Sequence, residues 1–448
     1  MERFAKYAPP YQHTVKRLDP DLPSVEDERV VKFYFPDSQD QISPGYDFIN
    51  DEYPYHRVRQ RDDLYAHQAV SPAPYDGILV SKAIVDGTVN GAGKYAGKYT
   101  TGQRDRLYRD GVSQFFGLPD TMRSLGDCGA FNYIDQEYPP YSIDEVLDFY
   151  YKCGFDSGIS IDHVIFGYKP DLPEEDADPA WVKRREISLD LAEKFIKAVK
   201  SRNKMMPEGK KRLEPVGAAQ GWSPDSYADS VSRLQEMGYK RIALGGMVPL
   251  KTPEIIACLE RISDVRQDDV EFHLLGITRV DSMERFVKFH VTSFDSTSAF
   301  RQAFMDERNN YHTADRSYMA IRVPQVDGNL ALKRLILAGV VSQSEAIKAE
   351  RECLKLLRRY DADDGVEVQE VMDALRAYQS LLGDEKKLKK VEKYEATLAD
   401  RPWRRCPCDL CRQHKIEMVI FRGTERNKRR GFHNMTVLEA KMRKLPLT

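Results

Sequence analysis

The chain has no apolar run approaching the roughly 18 residues that a membrane-spanning helix requires. It has no excess charge of either sign: 68 Lys and Arg stand against 70 Asp and Glu in 448 residues. Attachment to a polyanion by the overall field is thereby excluded, and any contact with nucleic acid must use a local basic patch. The opening segment MERFAKYAPPYQ lacks the apolar core of a secretory signal. The cytoplasm is the expected location, with no membrane partner. No internal repeat and no low-complexity tract is present, which excludes repeat architectures. Cysteine is scarce, at seven residues. Cys128, Cys153, Cys258 and Cys353 are scattered, whereas Cys406, Cys408 and Cys411 crowd into six positions. In a reducing compartment such crowding points to metal rather than to disulfides.

What is present is a regular alternation of elements. SIDEVLDFYYKCG carries a capping box in Ser142 and Glu145 and a stop at Gly154, with Val146, Phe149, Tyr150 and Cys153 on one face. SPDSYADSVSRLQEMG starts at Ser223-Pro224 and ends at Gly238. TPEIIACLERI repeats the Pro start at Thr252-Pro253, and SQSEAIKAERECLKLLRRY is capped by Ser342 and Glu345. Between helices lie short apolar runs at 30–35, 77–81, 124–129, 158–164, 215–220, 241–247, 271–277 and 291–296. Eight such runs alternating with helices predict a parallel sheet covered on both faces, closed as a (β/α)8 TIM barrel, with a doubly wound open sheet as the competitor. The expected organisation is an N-terminal extension over 1–28, the barrel over 29–330, a charged helical segment over 331–400, and a zinc-binding, basic, nucleic-acid-contacting segment over 401–448.

The runs end in polar residues. The third ends in Asp127, the fourth in Asp162, the fifth in Gln220, the sixth in Gly245-Gly246 and the eighth in Asp295. In a barrel these C-terminal ends share one mouth. Each residue singly reads equally well as a helix cap or turn. Three carboxylates and an amide together suit divalent-metal binding, substitution at an anomeric carbon, or recognition of a guanine-like ring whose N1–H and amino group face a carboxylate. Gly126 and Gly129, beside Asp127, fit the third use, because glycine lets a flat ring approach the backbone.

The Cys406, Cys408, Cys411 cluster has the spacing of three zinc ligands. The fourth is His433, expected at the start of a helix, or the nearer but more crowded His414. Four protein ligands leave no open position, so the zinc is expected to be structural, one per chain. Basic runs at 204–212, 386–393, 401–405 and 421–430 read either as solvated surface or as a phosphate-binding face. The Gly- and Lys-rich stretch 90–104 lacks the spacing of a nucleotide-binding loop and reads equally as a mobile lid.

GDCGAF, SIDH, AAQGW, ALGGM, TSFDST and CPCDLC with a downstream HN resemble, in order, motifs of the tRNA-guanine transglycosylase family. They run from about residue 124 to 440 and are most similar to the family's DNA-modifying branch. The resemblance implies replacement of guanine in double-stranded DNA by a 7-deazaguanine, preQ0, with a possible ATPase-like partner. It implies Asp295 as nucleophile and Asp127 as general acid and base. Asp162 would hold the ring's N1/amino edge, Gln220 and Gly246, next to Gly245, would meet its carbonyl, and Met247 would line the pocket. The same chemistry on tRNA, an idle nucleic-acid-binding subunit and a metal-dependent hydrolase are the rival readings.

Overall fold

The computed structural model describes residues 31–37, 39–87, 98–305, 308–381 and 388–445. The expected N-terminal extension lies outside these residues. Eight parallel strands close on themselves: β1 (Lys32–Pro36), β2 (Gly77–Ser81), β3 (Arg123–Asp127), β4 (Ser157–Ile159), β5 (Glu214–Ala219), β6 (Arg241–Leu244), β7 (Glu271–Leu274) and β8 (Val291–Asp295). β1 pairs with β8 at Tyr34–Asp295, which closes the barrel, and β2 pairs with β3 at Ser81–Asp127. The open-sheet alternative is thereby removed.

The helices form where local chemistry supports them. Ser142 Oγ accepts from Glu145 N and Glu145 returns the bond to Ser142 N at 2.8 Å, starting Ile143–Cys153, and Gly154 ends it at φ +70°. Ser223 caps Pro224–Met237, paired with Ser226. In Thr252–Ser263, Thr252 is already helical, and Lys251 is the cap residue, its N–H bonded to Glu254. The longest helix, Pro179–Met205, is capped by Asp178 and buries Leu189, Ala192, Phe195 and Ile196 against the barrel. Between β1 and β2 there is only the four-residue helix Ala66–Ala69. Residues 90–97 of the Gly- and Lys-rich stretch lie outside the described residues. From Thr101 the chain is the helix Thr101–Phe116, capped by Thr100.

Gly126 of β3 and Gly158 of β4 make room for one ring. A Cβ at either would stand 2.3 or 2.4 Å from Tyr150, whose hydroxyl donates to Ile159 O at 3.0 Å. A Cβ at Gly129, at φ +87°, would meet Ser81 Oγ at 2.3 Å. The space beside Asp127 is therefore filled by the protein's own side chains. The expectation that these glycines leave room for a base is corrected: close packing of Tyr150 and a tight turn explain them.

The C-terminal region is helical, and its last helix, Gly423–Met442, begins ten residues before His433 rather than at it. The arginines of the 421–430 run point inward. Arg426 and Arg429 are 1 % exposed and Arg430 is fully buried. Arg422 Nε donates to Asp51 at 2.6 Å and its Nη2 to Glu350 at 2.7 Å. Arg426 donates to Glu417 at 2.7 Å and also to Asp51, while Arg429 pairs with Glu425 and donates to Ser43 O. A guanidinium has five donors, and here carboxylates and carbonyls take them. This run anchors the segment between β1 and β2, so the expected phosphate-binding face at 421–430 is not present.

Candidate active site

The polar strand ends do converge. Asp127 closes β3, Asp295 closes β8, and Asp162 and Gln220 follow β4 and β5 by a few residues. Gln220 Nε2 donates to Asp162 Oδ2 at 2.6 Å, and the Cys128 thiol donates to Asp162 Oδ1 at 3.4 Å. Gln220 Oε1 accepts from Ile165 N at 3.2 Å, which leaves one amide proton of Gln220 over. The Gly245 N–H is taken by Ala219 O at 3.0 Å. Gly246, at φ +75°, has no room for a side chain between Ile165 O and Gln220. Met247 is fully buried and belongs to the apolar cluster that includes Leu244, Leu250 and Ile277.

Burial and repulsion set the carboxyls apart. Burial first, then the charge on Asp162, pushes Asp127 up to about 7; the Gly129 N–H opposes this and Asp295 adds to it. Burial lifts Asp162 to about 6 against the bonds from Gln220 and Cys128. At neutral pH the mouth thus holds one carboxyl divided between its acid and its base form. That is the state a proton shuttle needs.

Asp295 is held from one side. Its Oδ1 accepts from Gly276 N at 3.0 Å and faces His273 Nε2 at 3.2 Å. His273 was not among the residues the sequence singled out, although it lies inside the seventh apolar run. Two further residues sit at the rim. Phe131, just after Asp127, is 53 % exposed, Phe166, just after Asp162, is 37 % exposed, and their rings lie 5.2 Å apart. An exposed aromatic pair beside buried carboxyls offers ring faces for stacking. Phe131 ends GDCGAF, and its apolar side chain in an otherwise polar turn was the available signal.

The second constellation assembles as the spacing implies. Cys406, Cys408 and Cys411 each bring Sγ to 3.5 Å from His433 Nδ1, and all four atoms lie within 4.8 Å of one another. Zn–S and Zn–N bonds of about 2.3 and 2.0 Å at tetrahedral angles also place S and N about 3.5 Å apart. His433 Nε2 is bonded to His312 O at 2.8 Å, which leaves Nδ1 free for a metal, and Tyr311 stacks on the ring at 4.1 Å. The donor set therefore fits a metal ion. His414 is turned away, between Phe48 and Arg429. Among the described residues no other group of three such ligands comes close enough to hold one metal ion, the mouth aspartates included.

One carboxyl divided between acid and base at a barrel mouth, with the Cys3His cluster elsewhere, suits a barrel enzyme of the glycosyl-transfer class. The chain is 47 % identical over 412 residues to the DNA-guanine transglycosylase of Salmonella montevideo, covering 91 % of this chain and 95 % of that protein. No protein-family model matches the chain. It belongs to the DNA-guanine transglycosylase family, the DNA-modifying branch of the tRNA-guanine transglycosylases. No helix among the described residues is long and apolar enough to cross a membrane.

Proposed function

We propose that this enzyme exchanges guanine in double-stranded DNA for the 7-deazaguanine preQ0, in the cytoplasm, through a covalent aspartyl-sugar intermediate. The observation that carries the reading is that, among the described residues, the hydrogen bonds to Asp295 fall on Oδ1, which presents Oδ2 as the attacking atom. Oδ2 attacks C1′ as the C1′–N9 bond breaks and its electron pair stays with the base. Asp127, poised near neutrality, protonates the leaving guanine. PreQ0 then occupies the same site and gives a proton to the Asp127 carboxylate. Its nitrogen attacks C1′ and the ester C–O bond breaks, restoring Asp295. One glycosidic bond replaces another, so the exchange needs no ATP, and an ATPase-like partner acts outside it.

Asp162 accepts the ring's N1–H and amino donors, Gln220 and the Gly246 N–H meet its carbonyl, and Phe131 and Phe166 supply stacking faces. A flipped nucleotide needs phosphate contacts to offset unstacking. A cleft of about 660 Å³ beside the mouth fits that need, lined by Thr278, Arg279, Ser298, Arg308 and Lys441, with Asp281 at its edge. Cys406, Cys408, Cys411 and His433 hold Zn2+ as a structural cross-link, which ties the C-terminal helices together and takes no part in the exchange.

The test is Asp295→Asn. It is expected to abolish the covalent adduct on guanine-containing DNA while bound zinc stays at one per chain. An adduct that persists overturns the assignment. Label from preQ0 entering tRNA but not duplex DNA would move the substrate to tRNA.

A further inference from the structure

The interior of the barrel is mostly apolar, packed from Tyr34, Leu79, Leu125, Ile159, Val216 and Ala243. One polar line crosses it. Arg241 of β6, held by Glu214, donates from Nη2 to Ser293 Oγ at 3.2 Å. Ser293 Oγ lies 2.9 Å from His273 Nδ1, and His273 Nε2 lies 3.2 Å from Asp295 Oδ1. His273 is fully buried, with the Tyr34 ring set edgewise against it.

The protons in this line are determined by what each end can accept. Arg241 only donates, so Ser293 Oγ accepts from it and keeps its own proton free. The Asp295 carboxylate at the far end only accepts, so it draws the ring hydrogen to Nε2 and Ser293 turns its proton toward Nδ1. Nδ1 of His273 is then the acceptor and Nε2 carries the hydrogen. The opposite tautomer would set the Nε2 lone pair against the Asp295 carboxylate. Burial pushes the ring below the ordinary imidazole value, against the bond and charge of Asp295, and the nearby Arg241 charge acts in the same direction as burial.

We propose that His273 is a positioning residue for the nucleophile, locked as the Nε2–H tautomer by Ser293 and Arg241. With the Gly276 N–H it confines hydrogen bonding to Asp295 Oδ1, so that Oδ2 faces C1′. A neutral donor orients the carboxylate without the strong charge pairing that would weaken it as a nucleophile. This rests on the assignment of Asp295 as nucleophile.

The experiment measures adduct formation on guanine-containing duplex DNA, with zinc content and Tm as controls, for His273→Leu, His273→Gln, Ser293→Ala and, in parallel, Asp295→Asn. His273→Leu is expected to lower kcat about 10- to 100-fold with KM within about 3-fold. His273→Gln, which keeps a donor near Nε2, is expected to recover most of the loss. Ser293→Ala, which only frees the tautomer, is expected to lower kcat about 3- to 10-fold. The 15N shifts of His273 in the unmodified full chain should show Nδ1 without a proton. Undiminished kcat in His273→Leu, equal losses in the Leu and Gln variants, or a proton on Nδ1 would overturn the proposal while leaving the proposed exchange intact. A persisting adduct in Asp295→Asn would instead remove the exchange mechanism itself.

Discussion

Gln220 Nε2 reaches Asp162 Oδ2 at 2.6 Å across 58 residues of sequence, and this bond joins two strand ends of the mouth. It also opposes the burial that raises Asp162. Gln220→Ala removes both effects. The variant is expected to lose about 10- to 100-fold in kcat/KM for guanine exchange, chiefly through KM, because base binding and not bond breaking is touched. Steady-state incorporation of labelled base into DNA measures it.

Asp127 titrates near 7 when folded and near the ordinary 3.8 when unfolded. A raised carboxyl favours the folded chain fully below the unfolded value. That contribution disappears as pH rises through the folded one. Asp127→Asn should therefore be inactive yet more stable than the parent above pH 7, by roughly 1–3 kcal/mol at pH 8, discounted because the residue as a whole is only half-buried. In the parent, single-turnover adduct formation should fall about tenfold per pH unit above about 7. Urea denaturation at pH 5 and pH 8, with quench-flow at matching pH, checks both parts.

Removing the metal should unfasten the C-terminal region while leaving the barrel folded. Cys408→Ser or a strong chelator is expected to release about one zinc per chain and cost several kcal/mol of stability, since metal binding free energy is folding free energy. Metal analysis paired with calorimetry would show it. Adduct chemistry at the mouth should persist below the new Tm.

Arg426 and Lys441 lie in the same helix and should behave oppositely. Arg426→Ala takes from the buried carboxylates of Asp51 and Glu417 one of two guanidinium partners each, leaving Arg422 and Arg358, and is expected to cost about 3–5 kcal/mol with little change in the salt dependence of DNA binding. Lys441→Ala, on the cleft, should leave stability within about 0.5 kcal/mol, weaken DNA binding regardless of sequence, and reduce the slope of log affinity against log salt by about 1. Denaturation curves and binding titrations at several salt concentrations separate the two.

The barrel was legible because its signals are local. Apolar runs of five to seven residues and caps such as Ser142 with Glu145 act within one turn or one strand, and all eight runs became strands with ends shifted by a few residues. Asp127, Asp162, Gln220 and Asp295 were legible because strand ends in a closed parallel barrel must share a mouth. Three members of the Cys3His cluster were legible because they lie within six residues. The helix Pro179–Met205 was missed although Asp178-Pro179 announces it, since its many charged residues blur the buried stripe.

Sequence alone thus determined where strands stop and which side chains stand there, since backbone propensity and apolar periodicity are properties of neighbouring residues. Only the tertiary structure decided that Gly126 serves Tyr150, that Arg426 and Arg429 face inward, that Met247 is core, and that His273 lies under Asp295. Each of those depends on which groups, 22 to 386 residues apart, meet in a space too small for water. There a charge or a donor must find a partner, and the identity of that partner is written nowhere near it in the chain.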